Sequence, residues 1–431
     1  MRSDTTNRAD KANDARRLDE QDDLAQWRRE FGLPESRNGR DPVYLCGNSL
    51  GLMPLAAADA VKAELDDWSR LGVRGHFEAR QPWMRYHHRA RPLLAALTGS
   101  QDNEVVAMNS LTVNLHLLMV SFYRPRKDRC KIIIERDVFP SDRFAVESQM
   151  RWHGVDPGEH LIEWLPADGE ASLSIEDLEM LLQEHNNSVA MLLLPGVQYY
   201  SGQLLDMERL GHLARRHGIT LGIDLAHAIG NTPLQLHDWG IDFAVWCSYK
   251  YLNGGPGAVG GAFVHERHLS ANLPRLLGWW GNNESTRLLM QPEYDRAPGV
   301  DAWQLSNQPI FSLAPVIASL EIFSAAGIGK LREKSVRLTR YLERRLAEQF
   351  GEQVSIITPC DPNERGCQLS LMITDLPVSG REIFDRLDEL NVIVDWREPD
   401  VIRVAPAPLY NSFLDVHEFV GRLEHAAGVR A

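Results

Sequence analysis

Hydrophobic and polar positions fall into two alternating kinds of run along this chain. From residue 131 onward, short stretches that are apolar throughout (KIIIE, SVAMLLLPGV, TLGIDLAH, DFAVWCS, AVGGAFVH) are separated by stretches whose apolar residues recur every three or four positions. An uninterrupted apolar run predicts a strand covered on both faces, and the helical stretches between such runs are crossover connections. The pattern therefore predicts an α/β lobe over residues 81–315, built on a mostly parallel sheet. Within it, a helix is expected over 141–154, opened by Ser141, and another in MERLGHLARRHG, closed by Gly218.

After Pro315 a long helical stretch is expected to lead into a second lobe, 316–431. There VSIITP, CQLSLMI, VIVDWR and VIRVAP alternate with helical patterns near GREIFDRLDELN and VHEFVGRLEHAAG, which predicts a smaller α+β lobe. Upstream, LAQWRREFGLP reads as a short helix stopped by Gly32 and Pro34, followed by helices over about 55–71 and 85–98. Residues 16–80 are expected to pack on the smaller lobe. Residues 1–15 are charged, offer little to bury, and are expected to form a disordered tail.

Length and charge narrow the picture. A chain of 431 residues exceeds the usual single core, in keeping with two lobes. A net charge of −13 argues against general affinity for nucleic acid or an anionic membrane. Five cysteines, odd in number and without paired metal-ligand spacing, read as reduced thiols of a cytoplasmic protein with no metal site. No stretch approaches the roughly 20 apolar residues that span a bilayer, and the N-terminus lacks the pattern of a signal peptide.

The chemistry concentrates at 220–265. An apolar strand ends at Asp224, a polar turn carries His227, and Ser248, Tyr249 and Lys250 stand against a glycine-rich loop. Pyridoxal phosphate chemistry needs these groups: a lysine to hold the aldehyde as a Schiff base, and a carboxylate to keep the pyridine nitrogen protonated. Near Ser110 an apolar helix begins with Leu111 and Thr112, and a helix start offers free N–H groups to a phosphate. Each feature alone is ordinary: an N-cap, a core histidine, a loop lysine. In an open α/β sheet, however, all of them would fall at the carboxyl ends of the strands, where ligands bind.

Longer strings carry a resemblance. YLCGNSLGLMP, MNSLTVNLHLL, FPSDRFAVESQ, IDLAHAIGN, LHDWGIDFAVWCSYKYLNGGPG, GWWG, LSNQP and RVAPAPLYNSF occur in order over nearly the whole folded chain, and with them it resembles the kynureninase family. The resemblance implies the fold type I, aspartate aminotransferase-like architecture with a seven-stranded-type sheet. It implies pyridoxal 5'-phosphate as cofactor, a homodimer with the site at the subunit boundary, and hydrolysis of L-kynurenine or its 3-hydroxy derivative in tryptophan breakdown.

Residue by residue, the resemblance makes Lys250 the Schiff-base lysine and proton carrier, Asp224 the pyridine partner, His227 a neighbour of the phenolic oxygen, and Tyr249 a phosphate contact and general acid. Leu111 and Thr112 would hold the phosphate. Phe139 would stack on the ring beside Pro140, Ser141 and Asp142. Trp279 and Asn307 would reach across the boundary, to the phosphate and to the substrate's aromatic ring respectively. Arg403 would grip the substrate carboxylate, and Ser49 and His76 would line the aryl end. Pro195 departs from a position where some members carry Ser or Thr, so no cofactor contact is expected there. A cysteine desulfurase-like lyase is the rival, with Cys367 as its one candidate nucleophile. A catalytically silent binding homologue is the other.

Overall fold

The computed structural model describes residues 2–428. The five apolar runs, with two further edge strands, form a seven-stranded sheet in the order Val105–Ala107, Gly261–Val264, Phe243–Trp246, Thr220–Asp224, Val189–Pro195, Lys131–Glu135, Leu161–Trp164. Six of these strands point the same way, and Gly261–Val264 alone runs against them, antiparallel to both of its neighbours. Strand side chains alternate between the two faces. Ile132 and Ile134 thus pack with Met191, Val245 and the helix residues Leu115, Leu118 and Val146. Ile133 joins Leu192, Ile223 and Trp246 on the other face, under Leu178, Leu210 and Leu213. Burial of each such aliphatic side chain stabilises the fold by roughly 1.5–3 kcal/mol.

The helix Met207–His217 is closed by Gly218 in the left-handed region and capped by Asp206, whose carboxylate accepts from Arg209 N at 3.0 Å. The helix expected to open at Ser141 instead spans Pro140–Trp152. Proline suits that first position because its fixed φ is helical and its missing N–H would have no partner there.

The helical stretch expected after Pro315 begins earlier, as Ile310–Ala326 with Pro315 inside it. Pro315 lies just beyond the first four N–H groups, which lack helical partners in any case. A bend of 81° at Gly327 then leads into Ile328–Phe350. Beyond it, the small antiparallel sheet runs Val354–Ile356, Leu369–Ile373, Val401–Val404, Asp395–Arg397. Its core joins Leu369, Leu371 and Val404 to Leu338, Leu342, Phe419 and Leu423.

Two expectations about the N-terminal region need correction. Of the tail expected over 1–15, Met1 lies outside the described residues and the rest is helical: Arg2–Glu20 is one helix, with Ala15 fully buried in the small-lobe core and Leu18 packed against it. Asp19 anchors it by accepting from Phe413 N and Leu414 N at 2.7 and 3.0 Å, the free first N–H groups of the helix Phe413–Ala426. Ion pairs Lys11–Glu348 and Arg344–Asp14 add to the attachment. The segment 16–80, expected on the small lobe, serves both lobes. Val43–Tyr44 pairs in parallel with Val392–Ile393, whereas Ala56–Leu71 packs on Ile310–Ala326. Phe31 and Leu52 belong to the large-sheet core. Among the described residues, no single helix is long and apolar enough to cross a membrane.

Candidate active site

Four neighbouring strands end on one cavity of about 170 Å³. Lys131–Glu135, Val189–Pro195 and Thr220–Asp224 bring their last residues to its wall, and Phe243–Trp246 brings the next residue, Cys247. Parallel strands leave their carboxyl ends open between crossover helices, so this is where side chains can converge.

One wall is the start of the helix Leu111–Phe122. Ser110 caps it in extended conformation without donating or accepting through its side chain, so the first N–H groups stay free. The preceding turn is locked: Asn109 adopts φ +48°, its amide donates to Asn114 Oδ1 at 2.9 Å, and Asn114 in turn donates to Met108 O at 2.8 Å. Gly260 closes against this turn, donating to Asn109 O at 2.7 Å. A Cβ at Gly260 would lie 2.7 Å from Trp246 O and 3.2 Å from Leu111 N, so only glycine lets the two segments come this close. Thr112 Oγ1 and Ser141 Oγ, 2.8 Å apart, add hydroxyls beside the free N–H groups. A helix start with two hydroxyls is a site for a phosphate.

The floor carries the reactive groups. Lys250 Nζ lies 2.9 Å from His227 Nε2 and 5.7 Å from the centroid of the Phe139 ring. Phe139 is 42% exposed and held edge-on by Tyr199, an open aromatic face above the lysine. Burial, then the Lys250 charge, pushes the His227 imidazole well below its usual range and keeps it neutral. Its Nδ1 is buried with no partner. Its carbonyl accepts from Asn231 Nδ2 at 2.8 Å, and Asn231 Oδ1 accepts from Cys367 N at 3.0 Å, which ties this turn to the small lobe. Asp224 Oδ1 is fixed by Ala226 N at 2.7 Å. Asp142 lines the cavity with Asp224, and burial, then that neighbouring charge, raises the Asp142 carboxyl well above its usual range. The Tyr249 phenol is pushed up by burial, then by Cys247, and so stays protonated.

Arg403 stands behind Tyr199, which lines the cavity. It is 1% exposed on the strand Val401–Val404, donates to Tyr199 O at 2.8 Å and pairs with Asp395, while its Nε has no partner. A buried guanidinium with a free N–H suits a carboxylate ligand.

Leu111, Thr112, Phe139, Ser141, Asp142, Asp224, His227, Tyr249 and Lys250 thus meet at one cavity, as does Pro195. Pro140 opens the helix behind Phe139. Ser49, His76, Trp279 and Asn307 lie outside its walls. Ser49 is two residues from Gly51, whose N–H bonds Tyr249 O at 2.8 Å. His76 packs edge-on against Trp83. Trp279 is 42% exposed and donates to Arg287 O, and Asn307 is exposed. Sequence reasoning missed Glu135, Tyr199 and Cys247. The strand-end rule that flagged Asp224 applies equally to the last residue of KIIIE. Cys367 is fully buried, its thiol pushed up to about 12 by burial, which makes it an inert core residue.

An amine, a carboxylate, a neutral imidazole, an aromatic face and an anion-ready helix start fit pyridoxal phosphate group by group. Comparison with solved structures agrees on the fold. A cystine C-S lyase, C-DES, with glycine covalently linked to its pyridoxal phosphate cofactor superposes with a TM-score of 0.77 at 18% identity, covering 89% of this chain and 96% of that one. A cysteine desulfurase from Escherichia coli gives 0.76 at 18%, covering 95% and 99%. Residues 331–423 match the family model described as the kynureninase C-terminal domain. A kynureninase from Xanthomonas oryzae pv. oryzae is 51% identical over 407 residues, which is 94% of this chain and 96% of the relative. One from Xanthomonas campestris pv. campestris is 50% identical over the same shares. At that identity, over nearly the full length of both proteins, the chain belongs to the kynureninase family.

Proposed function

We propose that the protein is a pyridoxal phosphate enzyme that hydrolyses L-kynurenine, or its 3-hydroxy derivative, to anthranilate, or 3-hydroxyanthranilate, and L-alanine. The observation that carries this reading is the meeting of Lys250, Asp224 and a phosphate-ready helix start at one cavity in a chain of this family. Leu111, Thr112 and Ser141 would hold the phosphate, Phe139 the ring, and Asp224 the ring nitrogen. When bound, the cofactor supplies a protonated ring that draws electrons from the substrate's alpha carbon.

The chain's own residues do the rest. Arg403 orients the substrate through its carboxylate, which sets the alpha carbon against Lys250. Lys250, once freed by the substrate amine, carries the alpha proton, and the neutral His227 beside it accepts a hydrogen bond without competing for that proton. Tyr249, kept protonated by its burial, is placed to return a proton at the carbon released by cleavage. Overall one water is consumed: its hydroxyl stays on the aryl acid and its hydrogen on the alanine methyl group.

Trp279 and Asn307 serve the site of the other subunit in a two-fold dimer. The exposure of Trp279 and of its neighbours Leu276 and Leu277 supports that arrangement. Ser49 and His76 complete the aryl end. Five unpaired thiols suit a reducing cytoplasm. The test is fluorescence-detected release of anthranilate by the purified protein supplied with pyridoxal phosphate, run in parallel on kynurenine and 3-hydroxykynurenine. Turnover of either supports the reading, and Asp224→Ala should abolish most of it. Turnover of neither, with cofactor bound, would sink it.

A further inference from the structure

Glu135 is 2% exposed, ends the strand Lys131–Glu135 and lines the same cavity as Asp142 and Asp224. Two buried carboxyl groups, Glu135 and Asp142, and the half-buried Asp224 therefore meet beside one lysine. The groups facing Glu135 are Asp224 and Asp142 across the cavity, Asp137 two residues on, the Tyr199 phenol, the neutral His227 and the Lys250 amine. If all three carboxyls were ionised, the buried Glu135 and Asp142 charges would stand without a counter-ion, which burial makes costly.

Hydrogen bonding says how the cluster avoids this. Asp142 lines the cavity with Asp224, and burial, then that neighbouring charge, holds it neutral. Glu135 Oε2 and Asp142 Oδ1 are buried with no partner at all. An unbonded oxygen is tolerable on a neutral acid and costly on a carboxylate.

We propose that Glu135 is a positioning residue of this site, a neutral carboxylic acid that, together with Asp142, leaves Asp224 as the one negative charge facing the cofactor's ring nitrogen. This rests on the reading that Asp224 meets that nitrogen. Burial, reinforced by the Asp224 and Asp137 charges, pushes the Glu135 carboxyl up to about 8, so the acid is neutral at neutral pH and ionises under mildly alkaline conditions. The sign follows. The cofactor's phosphate brings net negative charge into the cavity, so an ionised Glu135 opposes binding, and affinity falls as pH rises through that value.

Two measurements on the full-length holoenzyme test the proposal. Difference infrared spectra of protein carrying 13C-labelled glutamate should show a protonated carboxyl band at about pH 6.5 that shifts with the label and vanishes near pH 9.5. Cofactor dissociation constants for wild type and Glu135→Gln should agree within about threefold at pH 6.5, with the variant about three- to tenfold tighter near pH 9. No label-sensitive band, or an identical pH dependence in the two proteins, would overturn the role of Glu135. If the variant does not fold, the infrared band of labelled wild type decides alone. Failure of both proteins to bind pyridoxal phosphate at any pH would overturn the cofactor reading beneath it.

Discussion

Gly260→Ala probes how the helix start is made ready for an anion. The added Cβ would sit 2.7 Å from Trp246 O, and 3.2 Å from both Leu111 N and Ser110 C. All three are backbone atoms, so no rotamer change can relieve the contact. Trp246 cannot retreat either, because it pairs across the sheet with Gly261. The start of the helix must therefore move away from the sheet. Overpacking of this kind costs about 1–3 kcal/mol. If the whole cost falls on the phosphate site, cofactor affinity drops by roughly 5- to 150-fold, at about 1.4 kcal/mol per factor of ten. Titration with pyridoxal phosphate, followed by quenching of tryptophan fluorescence, measures this directly, and a thermal melt of the same sample reports any cost to the fold. Undiminished cofactor affinity would refute the argument that the Gly260 approach shapes the phosphate site.

Other expectations concern separate parts of the molecule. Arg403→Lys should keep the cofactor but raise KM for kynurenine by about 10- to 100-fold, because an ammonium cannot form the two parallel bonds of the guanidinium; steady-state kinetics at saturating cofactor would show it. Mixing inactive Lys250→Ala and Trp279→Ala subunits should restore about a quarter of wild-type activity, since half of the random dimers carry one intact site; no recovery on mixing would count against a shared site. The hydrogen bond that His237 donates to Glu104 raises that imidazole above its usual range. The folded state thus holds the proton more tightly than the unfolded one, so this contribution to stability is full below about pH 6.5 and is lost as pH rises through the folded value. Melting temperatures of His237→Gln should lack that alkaline decline.

Five strands of the large sheet were legible because, buried on both faces, they read as apolar runs, as in VAMLLL and FAVW, whereas the short edge strands Val105–Ala107 and Leu161–Trp164 were not. The residues expected at the cofactor were legible as motifs, and the sheet's geometry explains why several of them meet at one cavity. The N-terminal helix was not. It is mostly charged and is held by Ala15, Leu18 and by Asp19 bonding to the distant Phe413, contacts that leave little periodic trace. Pro315 suggested a boundary because proline breaks helices in general, but the local pattern gave no sign that it falls in an early turn. Glu135 was passed over because a single acid closing an apolar strand looks like an exposed end. Only its convergence with Asp142 and Asp224 reveals that it is buried.

The central claim is that Lys250 holds the cofactor. Borohydride reduction of the purified holoenzyme, followed by proteolysis and mass spectrometry, tests it directly. The account predicts a reduced pyridoxal phosphate adduct on the peptide containing Lys250, absent from Lys250→Ala. An adduct on another lysine, or none on a protein that turns over kynurenine, would contradict it.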